Sequence, residues 1–443
     1  MPAAGVWRNS LPRNRRATPS RLPVKLQVLT SVPTEHFYTT TGAQLAPVTL
    51  MTHVAFFAQD AADAAVRRRV QGFRDEGLRV TGFSMRRRDR VDVDWDNVDL
   101  GRTYDGAYLQ RIKSISRGAR LAAERRDLLA QADIIYARNL DMLATAFQAR
   151  RITGLDTPVI YEALDVHRLL TRRDVVGLAF RRLEGVLLAQ TKALVVSSPG
   201  FLRNHFELHH HGRYKPFLLE NRLAAGADYG PRPSRARAHT GPLQLGWLGM
   251  LRCRRSLDLL LKVAREAGPG VHIHLHGVPA LTEIADFHAR IADVANLTFH
   301  GRYRSPEDLA NIYAGLDVVW AGDFMEAGFN SAWLLPNRIY EGGFYGVPAI
   351  APAGTQTASW IEARGAGFTL PENLATTLPG LILGLAANGS PVAVRRKRLL
   401  DLPASTFVAP RGELASLINQ ALGRPSTRDF ANMGRTSPSQ AAE

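Results

Sequence analysis

Two stretches of the chain combine residue types that can hold a charged, hydroxyl-rich ligand. The first is Gly246-Trp-Leu-Gly249-Met-Leu-Arg252-Cys-Arg254-Arg255-Ser256, running on into Leu257-Asp-Leu-Leu-Leu. It reads as a strand, a basic loop and a helix. Gly249 lets backbone approach a ligand closely. The helix N-terminus offers free N–H groups and a partial positive charge, and Arg252, Arg254 and Arg255 beside it suit a diphosphate, which guanidinium groups grip bidentately. The second stretch is Leu335-Pro-Asn337-Arg338-Ile-Tyr-Glu341-Gly-Gly-Phe-Tyr-Gly346-Val-Pro348-Ala-Ile-Ala. Its spacing puts Glu341 on a short helix that turns at Gly346 into a buried strand. A carboxylate there can accept two hydroxyl hydrogen bonds, as a ribose diol demands, with Asn337 and Arg338 in the first turn. A third stretch, Glu162-Ala-Leu-Asp165-Val-His167, follows a strand. Asp165 and His167 are candidates for a base or for stabilising positive charge; a helix-capping carboxylate is the bland alternative.

Something must bring these three together, and the apolar patterning says what. Strand-length apolar runs alternate with helical spacing: a strand at 48–57, a helix at 60–76 and a strand at 78–83 form a βαβ unit. A long basic helix at 107–130 follows, then strands at 132–136, 157–161, 193–196 and 217–219 with helices between them. The pattern breaks at 223–242, a Gly-, Pro- and Arg-rich stretch expected to be a linker. A second series begins at Leu243, with strands at 243–247, 272–276, 297–300, 317–320 and 348–351. The expected fold is α/β: two Rossmann-like, doubly wound lobes with a cleft between them, ligands binding beyond the strand C-termini. The expected organisation is a disordered basic tail at 1–46, an acceptor-side lobe at 47–222, the linker, a ligand-binding lobe at 243–403, a C-terminal helix at 404–423 and a disordered tail at 424–443.

These motifs resemble the donor lobe of GT-B glycosyltransferases, in particular the large family of bacterial polysaccharide and lipopolysaccharide sugar transferases. Gly249, Arg252 and Arg255 stand where that family has a Gly-rich, basic loop. Asn337-Arg-Ile-Tyr-Glu341 followed by Gly346-Val-Pro348-Ala-Ile is similar to its late N-K-x-x-E motif. The resemblance implies that Glu341 holds the ribose of a nucleotide-sugar donor, that Arg252 and Arg255 stabilise the leaving diphosphate, and that Asp165 or His167 acts near the acceptor, Glu162 and Asp165 matching a Glu…Asp element. Many members carry two glutamates eight positions apart. Here Trp333 stands eight before Glu341, and Glu326-Ala-Gly-Phe-Asn, fifteen residues upstream, resembles the opening of that motif. Either a seven-residue insertion displaces the first glutamate, which makes Glu326 a third catalytic candidate, or that glutamate's role is absent here. A Gly-Gly loop after the first strand is replaced by Gln59-Asp60-Ala-Ala-Asp63.

The chain has 443 residues and a formal charge of +16, from 56 Lys and Arg against 40 Asp and Glu. A basic balance points to an anionic partner. Cys253 is the single cysteine, so no disulfide forms within the chain. Residues 1–90 carry 15 basic and 6 acidic side chains. Arg67, Arg68, Arg69 and Arg74 line one helix. Arg111, Lys113, Arg117, Arg120, Arg125 and Arg126 decorate the next, and together these helices suit an anionic membrane surface. No apolar segment approaches the length of a membrane span, and no apolar h-region follows the basic start, so the expected location is cytoplasmic, peripheral at the inner membrane face. No Asp-x-Asp motif stands at a donor loop, so no cofactor and no obligatory metal are expected. His272, His274 and His276 alternate and read as a polar strand face, His209 to His211 as exposed loop, and Cys253 as an inert thiol.

The function expected is transfer of a sugar from a UDP- or GDP-hexose to a growing, lipid-linked or oligosaccharide acceptor in cell-surface polysaccharide assembly. The alternatives are a sugar-nucleotide 2-epimerase of the same architecture, a non-catalytic nucleotide-sugar binder and a basic nucleic-acid-binding protein. The last lacks zinc, RNP-like or helix-turn-helix motifs, so nucleic acid is not an expected partner.

Overall fold

The computed structural model describes residues 52–87, 91–103, 108–234 and 241–424. The tail expected at 1–46 lies outside them, as does the one at 424–443 apart from Arg424.

Among the described residues, seven strands form the first sheet: β1 (His53–Ala58), β2 (Arg79–Arg86), β3 (Asn97–Arg102), β4 (Ile134–Arg138), β5 (Val159–Ala163), β6 (Ala193–Val196) and β7 (Pro216–Leu218). Their order is β3-β2-β1-β4-β5-β6-β7. Six form the second: β8 (Leu243–Leu251), β9 (Val271–Pro279), β10 (Leu297–Gly301), β11 (Val318–Trp320), β12 (Ala349–Pro352) and β13 (Gly367–Leu370), in the order β10-β9-β8-β11-β12-β13. Every pairing is parallel. Each sheet begins at its centre, winds to one edge and then to the other, which puts a crevice at the C-terminal ends of β1 and β4 and of β8 and β11. Such sheets need both faces covered. β1 is accordingly buried along its whole length, and its Phe57 ring stacks on Phe83 of β2 at 4.9 Å.

The two basic helices turn most of their described apolar residues inward, Ile112 being the exposed exception. The helix Ala64–Asp75 buries Val66, Val70 and Phe73. The expected long helix breaks at Arg125 into Tyr108–Glu124 and Arg126–Ala130, and Ala119, Ala122 and Leu129 join the core of the first sheet. The stretch expected as a linker is fastened to the second lobe over its first part. Leu223 exchanges backbone hydrogen bonds with Phe407 and Ala409, and Arg232 donates to the carbonyls of Phe344, Leu399 and Leu402 at 3.1, 2.6 and 2.7 Å. The C-terminal helix, Glu413–Ala421, crosses back to the first sheet, where Leu414, Leu417 and Ile418 pack with Val54, Val66 and Phe73.

The histidine run is not all loop surface. His210 is buried on the short helix Glu207–His210, while His209 and His211 are exposed. Its Nε2 lies 2.9 Å from Glu184 Oε2, which His205 Nε2 also meets at 2.6 Å, and Tyr161 donates to the other oxygen at 3.1 Å. Glu184 is fully buried, yet these donors hold its carboxyl down at about 2 against the upward push of burial. Its hydrogen bonds are all internal, so the cluster fixes the helix Val175–Leu188 to the sheet. Cys253 is buried and its Sγ accepts the Ser256 amide at 3.4 Å, capping the helix Arg254–Ala267.

Candidate active site in the cleft between the lobes

A cleft of about 350 Å³ opens between the two sheets, within the range of small-molecule sites. The first lobe contributes Asp165, Arg168 and Asn221; the second contributes Gly249, Arg252, Asp323, Glu326, Asn337, Arg338 and Glu341. Seven of the nine predicted site residues thus meet in one place. Arg255 and His167 do not.

Gly249 lies near the end of β8, which runs four residues beyond the expected strand, to Leu251. Its φ of 107° is one that a side chain disfavours. Across the ladder stands Gly277 of β9. A Cβ there would come within 1.7 Å of the Gly249 carbonyl oxygen, so this close backbone approach needs a glycine on β9 that sequence reasoning had not singled out. The basic loop is correspondingly short. Arg252 sits in it, lining the cleft with Nη2 3.5 Å from Asp323 Oδ2. Arg254 and Arg255 are already in the first helical turn. Successive helix residues are rotated by about 100°, which carries both away: Arg254 pairs with Asp286 at 3.1 Å, and Arg255 stacks on Phe324 at 4.3 Å.

Glu341 is buried on the helix Asn337–Phe344. Tyr313 donates to its Oε2 at 2.8 Å, and among the described residues Oε1 receives no hydrogen bond. Burial pushes its pKa up; Tyr313, Arg68 and Arg338 pull it partly back. Arg68 comes from the helix Ala64–Asp75 of the opposite lobe, so one of the arginines read as membrane-facing lies in the field of Glu341. Pro336 offers no side-chain cap to the helix, which leaves first-turn N–H groups beside the cleft residues Asn337 and Arg338. Arg338 Nη1 donates to the Trp320 carbonyl at 3.2 Å, which orients the guanidinium. Tyr303 also lines this end; it too was missed, because an aromatic residue in a loop carries no periodic signal.

On the opposite wall, Asp165 is exposed and lines the cleft. His167 is not among the cleft residues. Its Nδ1 accepts the Leu169 amide at 3.2 Å and caps the helix Arg168–Thr171, which puts the ring proton on Nε2. Glu162 lies under the site, between Arg69 and Arg138, each 2.7 Å away. Glu326 joins the lobes: its Oε1 accepts from Arg168 Nε at 2.7 Å, and its Oε2 accepts from Asn330. Asn330 in turn pairs with the Val166 backbone N–H and C=O, both at 2.8 Å. Trp333 adds to this contact, its side chain packing against the first lobe's core and its carbonyl accepting from Ser198; a Cβ on Gly200 would meet that carbonyl at 2.5 Å.

No protein-family model matches the chain. A curated relative does: the succinoglycan biosynthesis protein ExoL of Rhizobium meliloti (strain 1021) is 37% identical over 381 residues, spanning 84% of this chain and 93% of that protein. The chain belongs to the ExoL family. Among solved structures, this ExoL-family chain is similar to the Anabaena protein Alr3699/HepE in complex with UDP (TM-score 0.59, 14% identity, 87% of this chain and 100% of that one). It is also similar to a sucrose-phosphate synthase from Thermosynechococcus elongatus (TM-score 0.60, 13% identity, 87% and 98%). The two-lobed architecture is that of the GT-B glycosyltransferases, and the chain is a polysaccharide-biosynthesis member of that fold.

Proposed function

We propose that this protein is a glycosyltransferase that moves a sugar from a nucleotide-diphosphate donor, a UDP- or GDP-hexose, to a growing glycan in exopolysaccharide assembly. The observation that carries this reading is the convergence of Glu341, Arg252, Arg338 and an uncapped helix start in one cleft whose other wall holds Asp165. Glu341 would take the ribose hydroxyls. Arg252, Arg338 and the free amides at Asn337 would take the diphosphate and stabilise the charge it gains as it leaves. Asp165 faces the side from which an acceptor arrives and would take the proton of its hydroxyl, or stabilise positive charge at the anomeric carbon. Glu326, held to Arg168, would keep the lobes closed around the donor. That the similar HepE structure was solved in complex with UDP supports a uridine nucleotide as the donor's carrier. Epimerisation would need histidines near the sugar, and none is among the described cleft residues.

The test is transfer by the full chain from labelled UDP- and GDP-hexoses to a membrane lipid extract. Labelled glycolipid from one of these donors is expected. Neither transfer nor donor hydrolysis with any of them would overturn the assignment. The accepted nucleotide should also raise thermal stability, by about 2.7 kcal/mol at a hundredfold excess over its Kd.

A lipid-linked acceptor requires a bilayer, and the cytoplasmic face of the inner membrane is the proposed setting. No single helix among the described residues is long and apolar enough to cross a membrane. The surface that suits one is the helix Val175–Leu188: Val175 is 80% exposed and Leu178 62%, with Leu183 and Val186 also outward. Exposed Arg172, Arg173 and Arg182 flank them. Apolar side chains rimmed by arginine fit an anionic interface better than the two basic helices, whose described apolar residues are mostly in the core. Leu178→Asp with Val186→Asp should remove sedimentation with phosphatidylglycerol vesicles while leaving the melting temperature within a few degrees. Unchanged sedimentation would refute this surface.

A further inference from the structure

Away from the cleft, the alternating histidines of β9 meet a fourth imidazole. The β9–β10 register shifts between Phe299 and Gly301, an irregularity that falls on His300. Such bulges re-aim a side chain. Here it lays the His300 ring over His276, with centroids 4.1 Å apart and the planes 2° from parallel, and brings His300 Nε2 to 2.9 Å from His274 Nδ1. One nitrogen from each of His274, His276 and His300 lies within 4.8 Å of the other two. None of the three has an ion-pair partner among the described residues. Burial and the neighbouring imidazoles hold His274 and His276 down to about 4, so both are neutral at pH 7.

We infer that His274, His276 and His300 form a binding site for a zinc-class divalent cation on the edge of the second lobe. Three imidazoles with an open fourth position are a known zinc environment and need no thiolate or carboxylate. A zinc ion ~2.0–2.1 Å from each nitrogen spaces the nitrogens roughly 3.3 Å apart; because it lies in the plane of each imidazole it ligates, the stacked His276 and His300 rings must also turn out of their parallel arrangement, through their side-chain torsions, on binding. His274 already has the outer partner that a ligand histidine uses: its Nε2 donates to Gln244 Oε1 at 2.7 Å, which leaves the Nδ1 lone pair facing the site. Gln244 is itself oriented, donating Nε2 to the Pro242 carbonyl at 2.6 Å. His300 now gives its Nε2 proton to His274 Nδ1 as a hydrogen bond. On binding, that proton moves to His300 Nδ1, the cation takes the vacated lone pair, and no proton need leave the protein. His300 is exposed, which gives the ion an entry path and lets water fill the fourth position. His272, bonded to Thr298 at 2.8 Å, lies outside the triad.

The site is tested on the metal-stripped full chain by titrating Zn2+ against a chromophoric chelator. One zinc per chain is expected. Gln244→Ala should weaken it roughly 10–100-fold, the usual cost of losing an outer partner. His276→Gln and His300→Gln should each cost more than that, while His211→Gln, on the other lobe, changes nothing. Melts of each variant in excess chelator report its folding separately; His300 is exposed, so its substitution leaves a folded protein to titrate. Absence of stoichiometric binding, or a His300→Gln chain that binds as tightly as wild type, overturns the site.

Discussion

Glu341→Ala should weaken nucleotide binding about 100-fold while leaving a folded protein. A carboxylate holding two hydroxyls makes charge-assisted hydrogen bonds of ~1.5–3 kcal/mol each, and a loss of roughly 3 kcal/mol is about two orders of magnitude in Kd. The substitution also orphans the Tyr313 hydroxyl, so a drop in stability of about 1–3 kcal/mol accompanies it. Glu341→Gln separates the two effects: it keeps an acceptor for Tyr313 and loses only the charge. Titration calorimetry with UDP and GDP reads the binding; thermal melts read the fold. The pH dependence adds an independent signature. Burial raises the pKa of Glu341, so folding favours its protonated form. Its contribution to the stability of the empty protein is therefore largest below the unfolded carboxyl value and is lost as pH rises through the folded one. Nucleotide affinity runs the other way, because the ionised form is the better acceptor: it falls as pH drops through that raised value in wild type and stays flat in Glu341→Gln. A folded Glu341→Ala that binds nucleotide within threefold of wild type would remove the ribose role.

Much of this site was legible because it depends on strand ends. Buried apolar runs such as Val159-Ile-Tyr161 or Leu243-Gln-Leu-Gly-Trp247 mark inner parallel strands, and residues shortly beyond them, Asp165 and Arg252, face the crevice. The unread strands lie at sheet edges: Asn97-Val-Asp-Leu-Gly-Arg102 is half polar, and Gly367-Phe-Thr-Leu370 is four residues long. The misplaced site residues were lost to local phase. His167 stands two positions past Asp165, enough to make it a helix cap. Arg255 is three past Arg252, enough to place it on the helix with its side chain over Phe324. Arg68 and the Asn330–Val166 pairing needed the tertiary structure, since their partners lie 273 and 164 positions away along the chain. His300 needed a bulge that no pattern announces.

Glu162 shows how strand parity separates a supporting carboxylate from a reacting one, and its removal should cost fold rather than chemistry. It is on β5, pointing into a fully buried pocket where Arg138 Nε and Arg69 Nη2 each meet one oxygen at 2.7 Å. Burial alone would raise its pKa; the two guanidiniums override that and hold the carboxyl at about 2. A group depressed in the folded state stabilises above its unfolded pKa and loses that contribution as pH falls through the folded one. Wild type should therefore shed stability between about pH 4.5 and 2, and Glu162→Gln should flatten that limb. The depression corresponds to the order of 3 kcal/mol, the same order as the ~3–5 kcal/mol lost when one partner of a buried pair is removed. Arg138→Leu and Glu162→Leu should each lose that much in a urea melt. Together they should lose clearly less than the two single losses added, because the double variant leaves no uncompensated charge between these two positions. Transfer activity distinguishes the roles. If Glu162 supports the floor under Asp165, Glu162→Gln retains a substantial part of kcat at temperatures well below its melt. A kcat reduced by several orders of magnitude in a chain that melts like wild type would instead place Glu162 in the chemistry, and Asp165 would lose its standing as the reacting carboxylate of this wall.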